Sequence, residues 1–109
     1  MTAQREDIEE RLRFIDRTIV HAARACQADG RVPSDLKHCV DELEHYASEA
    51  KQAWHALDVP RTRRTVENLA RLSDHAQSAF REDDDMDHVL KSAVILTHIE
   101  VSALRYQLA

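Results

Sequence analysis

Residues 87–109 read DHVLKSAVILTHIEVSALRYQLA, and this stretch decides the fold. At 3.6 residues per turn its apolar positions form two stripes rather than one. Met86, Leu90, Ala93, Val94, Thr97, Val101, Leu104 and Leu108 make the first. Val89, Ile95, Leu96, Ile99, Ala103 and Tyr106 make a second, almost opposite, and Lys91, His98, Ser102 and Arg105 fill a narrow polar band. A helix over 86–108 is therefore expected to be apolar nearly all round and buried on more than one side.

Three further helices are predicted to pack against it. Over 3–29, the positions Ile8, Leu12, Ile15, Ile19, Ala22 and Cys26 alternate by four and three, with Thr2 as a cap and Asp29, Gly30 and Pro33 as the stop. Over 34–57, Ser34 is the cap and Leu36, Cys39, Leu43, Tyr46, Ala50, Ala53 and Leu57 repeat the spacing, ended by Asp58, Val59 and Pro60. Over 60–82, Val66, Leu69, Ser73, Ala76 and Phe80 form a weaker stripe, followed by the acidic run at 82–85. Short connections make sequential helices antiparallel. The expected fold is all-α, one domain over 1–109: an antiparallel up-down-up-down four-helix bundle whose C-terminal helix is apolar on two faces.

Composition agrees. One glycine, two prolines and 5% aromatic residues disfavour a sheet, and 109 residues suit a single core. A net charge of −5 argues against a dedicated nucleic-acid binder, which must neutralise phosphates. The longest apolar run, at 93–96, is far too short to span a bilayer, and the charged start MTAQREDIEERLR lacks the apolar stretch of a signal peptide. A cytoplasmic protein without a membrane partner is the expectation. The second stripe points to a homodimer formed through Val89, Ile95, Leu96, Ile99, Ala103 and Tyr106, or to another protein partner.

Four groups of residues raise other functions. His38, Glu42, His45 and Glu49 step by four, three and four along one face, so two His-x-x-x-Glu pairs could chelate a divalent metal; their stripe points away from Leu43 and Ala50, toward solvent. The third helix carries only His75, without the His-x-x-x-His pair of hemerythrin-like di-iron bundles. His21-Ala22-Ala23-Arg24-Ala25 has a layout comparable to the site of a histidine phosphotransfer domain, with Arg24 placed for a phosphoryl group, although the usual Lys-Gly is absent. Arg61, Arg63 and Arg64 crowd the start of a helix against its dipole and are a candidate anion site, unless the acids Glu6, Asp7, Glu9 and Glu10 neutralise them. Cys26 and Cys39 occupy inner positions, where thiols serve as small hydrophobes. No glycine-rich phosphate loop, nucleophile elbow or metalloprotease motif appears, so no catalytic residues are assigned and no cofactor is required.

Overall fold

The computed structural model describes residues 2–28, 32, 34–80 and 88–108. They form four helices: α1 (Thr2–Ala28), α2 (Ser34–His55), α3 (Val59–Phe80) and α4 (His88–Leu108). Each helix packs on its sequence neighbour and α4 closes the ring on α1, while among the described residues the diagonal pairs stay apart. This is the all-α four-helix bundle that the three-and-four spacing predicts. The stops and caps at Asp29, Gly30, Pro33 and 82–85 lie outside the described residues, as do Met86 and the side chains of Thr2 and Phe80.

The inner stripes supply the core. Ile15, Ile19, Leu36, Val40, Val66, Leu69, Leu90, Val94, Val101 and Leu104 are almost completely buried. Hydroxyls that enter it stay satisfied by turning back onto their own helix. Thr18 donates to the Phe14 carbonyl, Thr62 to Asp58, Thr65 to Arg61 and Thr97 to Ala93, at 2.7 to 2.8 Å.

Polar clamps hold the order of the helices. Arg11 reaches from α1 to Glu100 at 2.7 Å and to Gln107 at 3.0 Å on α4. Lys51 of α2 meets Asp16 of α1 at 3.1 Å, and Arg61 of α3 meets Glu49 of α2 at 3.8 Å. Between α3 and α4, Glu67 pairs with Arg105 at 2.7 Å and Asp74 with His98 at 3.0 Å. In each of these helix pairs, rising numbers on one helix meet falling numbers on the other, which is the antiparallel arrangement.

One expectation is corrected. Leu57 is not part of the α2 stripe: the helix ends at His55, and Leu57 is 62% exposed with a left-handed backbone, φ 61°. The Leu57 amide donates to the Trp54 carbonyl at 3.0 Å and the Asp58 amide to Ala53 at 2.9 Å. This is the paired closure in which a residue at positive φ stops a helix, a position that favours glycine. Asp58 then caps α3, its Oδ1 accepting from the Arg61 amide at 3.2 Å. The stop is therefore set at Leu57, three residues before Pro60. Leu57→Gly is expected to stabilise the fold by about 1 kcal/mol, because leucine has a steric cost there that glycine lacks; urea unfolding at fixed protein concentration measures it.

Candidate functional site

The second stripe of α4 lies on the surface. Val89 is 60% exposed, Ile95 45%, Leu96 43%, Ile99 57% and Tyr106 85%, while Ala103 is half-buried. On the opposite face Leu90, Ala93, Val94, Thr97, Val101, Leu104 and Leu108 are all buried. One helix thus presents a closed inner face and an open apolar outer one. Two features explain how the outer stripe stays uncovered. The clamps to α1 through Glu100 and Gln107, and to α3 through His98 and Arg105, leave α4 on both flanks and hold its inner face to the core. Among the described residues no other helix lies beyond it. Phe14 of α1, three residues past Arg11, extends this apolar surface on one side and is 37% exposed.

The other sequence-derived residues fall into separate places. His38 and Glu42 meet at 2.9 Å, and His45 and Glu49 at 3.9 Å, as two exposed pairs one helical turn apart. Glu49 is shared with Arg61. Among the described residues no group of three or more histidine, cysteine, aspartate or glutamate side chains is placed to hold a metal ion. His21 and Arg24 are exposed on α1, with Ala25 half-buried beside them.

The arginines at the start of α3 are engaged differently from the expectation. Arg63 Nε donates to the Leu108 carbonyl at 2.6 Å, placing a cation on the negative end of the α4 dipole. Arg61 turns to Glu49, and Arg64 is exposed. The acids at the start of α1 meet other groups: Asp7 meets Arg11 and Gln107, and Glu9 meets Arg13 and His55. α1 and α3 lie diagonally across the bundle, which keeps those acids away from the α3 arginines.

Both cysteines are buried. Cys39 Sγ donates to the Leu72 carbonyl at 3.2 Å. Burial pushes its thiol up to about 11, with the Glu42 charge adding to the rise and an Ala76 backbone hydrogen bond opposing it. The native state thus holds the thiol protonated, so its contribution to stability is intact below the ordinary value of 9.0 and is lost as pH rises from there toward about 11. Alkylation of Cys39 by iodoacetamide at pH 8 is expected to be slow in the native protein and rapid in urea. Equal rates in both would show an accessible thiolate instead.

Arg11 and the Asp74–His98 pair were not singled out by sequence reasoning, although both organise α4. The only signal for them is the antiparallel register, which brings residues far apart in the chain to one level. Among the described residues no helix is long and apolar enough to cross a membrane.

No family model, curated protein or solved structure matches this chain.

Proposed function

We propose that the protein is a small helical interaction or regulatory module that self-associates through the outer face of α4 and has no chemistry of its own. The observation that supports this reading is the concentration of five large, exposed apolar side chains on one helix. Single exposed hydrophobes are ordinary, but a contiguous stripe of them is the mark of a contact surface. Burying four such side chains contributes roughly 6–10 kcal/mol before the costs of association, enough to hold a dimer. Two-fold pairing is the commonest way for one apolar patch to be covered by an identical one. The stripe carries no charged side chain, so a second copy covers it without desolvating an ion.

Sedimentation equilibrium over a dilution series tests the reading. The expected result is a species of twice the 12.5 kDa chain mass that dissociates on dilution. The single-chain mass at every concentration would remove it.

A further inference from the structure

The way a second copy would sit on α4 is written in the charges beside the stripe, and the following rests on the self-association proposed above. The outer stripe leans toward α1: Val89, Leu96 and Ala103 sit on the α1 side of Ile99, and Phe14 continues the apolar surface onto α1. An open groove runs along this side of the bundle, lined by Asp7, Glu10, Arg11, Arg13, Phe14, Arg17 and Glu100. The contact face is thus the α1–α4 side rather than α4 alone.

Two arrangements with two-fold symmetry can cover that side. A two-fold axis parallel to the helices lays each α4 on α1 of the other copy. The apolar stripe then meets Asp7, Glu10, Arg17 and His21, all exposed in the single chain, and strips water from charges without giving them partners. An axis perpendicular to the helices lays α4 on α4 and α1 on α1, each pair antiparallel. This second arrangement matches like with like in polarity and opposite with opposite in charge.

On α4, the residues facing outward at steps of four and three are Ser92, Leu96, Ile99, Ala103 and Tyr106. That is a heptad seam. With the axis between Leu96 and Ile99, each Leu96 meets Ile99 of the second copy. Ser92 then meets Ala103, two small side chains that let the helices approach, and Val89 meets Tyr106.

On α1, the Arg11 contacts to Glu100 and Gln107 place residues 14–17 level with the same axis. Before that level the exposed side of α1 carries Glu6, Asp7 and Glu10, with Arg13 held by Glu9 at 3.1 Å, and after it Arg17, His21 and Arg24, so its first half is acidic and its second basic. Antiparallel pairing about the axis therefore sets Asp7 and Glu10 of one copy opposite His21 and Arg24 of the other. Phe14 and Arg17 meet near the centre, where a guanidinium can lie over a ring. Such complementarity selects the arrangement more than it adds affinity.

We infer that the α1–α4 side binds a second copy of this chain through an antiparallel two-fold, with α4 on α4 across the 92–106 seam and the acidic half of α1 on the basic half of its counterpart.

Cysteine cross-linking of the full chain tests this, using Ser92→Cys and Ala103→Cys as two single variants. A disulfide needs Cα atoms within about 7 Å. In the antiparallel seam the two copies of position 92 lie about 16 Å apart along the helix direction, at 1.5 Å per residue, while position 92 of one copy lies beside position 103 of the other. Mild oxidation is expected to leave each variant alone uncross-linked, like the parent, and to give a double-mass band only when the two are mixed and allowed to exchange. Cross-linking within either variant alone would overturn the arrangement. A dimer by sedimentation that cross-links in neither format would also overturn it, while leaving self-association standing. A single-chain mass by sedimentation removes both.

Discussion

Ile99→Glu is expected to abolish the proposed dimer and leave a folded single chain. Ile99 is 57% exposed on the outer face of α4, at the centre of the stripe and away from the core. Glutamate is a good helix former, and exposed sites of this kind change folding stability by about 0.5 kcal/mol or less. In a dimer the same position becomes buried against Leu96 of the second copy, close to the two-fold axis, so two carboxylates lose water near one another. Loss of the apolar contact together with the buried charges weakens association by at least about a hundred-fold. Circular dichroism should read the parent helicity while sedimentation reads the single-chain mass. A variant that stays folded and keeps the dimer mass would show that the stripe is not the interface.

Leu104→Ala should do the reverse and strike folding. Leu104 is fully buried, between the levels where Arg11 clamps α4 to α1 at Glu100 and at Gln107. Removing its branched end leaves a cavity among rigid neighbours, at a cost of about 2–5 kcal/mol. In a chain of this size that lowers the melting temperature by roughly 10 °C or more. Tyr106→Ala, two residues on and 85% exposed, should leave single-chain stability near the parent value. Comparison belongs in the Ile99→Glu background, because dimer stability depends on protein concentration. Equal losses at the two positions would mean that α4 does not divide its work between two faces.

The division of α4 into two faces was legible from spacing alone. Seven of the inner positions read from the stretch, from Leu90 to Leu108, are buried, and the five large outer ones are exposed, because a 3.6-residue period leaves little freedom once the helix is granted. What spacing could not show was the chain's punctuation and its cross-links. Leu57 looked like one more apolar step of α2, yet the closure of that helix needs a left-handed residue, and leucine gives no sign that it takes that conformation. Asp74 shares no face with its sequence neighbour His75. Its partner is His98, 24 residues on, and only the register of α3 on α4 brings them to 3.0 Å. Arg63 looked like a cation at the wrong end of its own helix. It serves the right end of another, at the Leu108 carbonyl.

The candidate ligand groups divide on similar lines. The histidines and glutamates of α2 form local pairs because residues four apart always meet, so the spacing foretold the pairs and nothing beyond them. Cys39 was expected inside, and its raised thiol follows from the burial that the stripe predicted.

The central claim is that a second copy covers the outer face of α4, and the most direct measurement is oxidative footprinting of Tyr106 against protein concentration. The chain has two tyrosines, and Tyr46 packs half-buried against the core of its own bundle, which makes it an internal reference. The account predicts that Tyr106 reacts freely in dilute protein and becomes protected as the double-mass species forms, with Tyr46 unchanged. Tyr106 labelling that stays constant while the mass doubles would place the interface elsewhere and contradict the account.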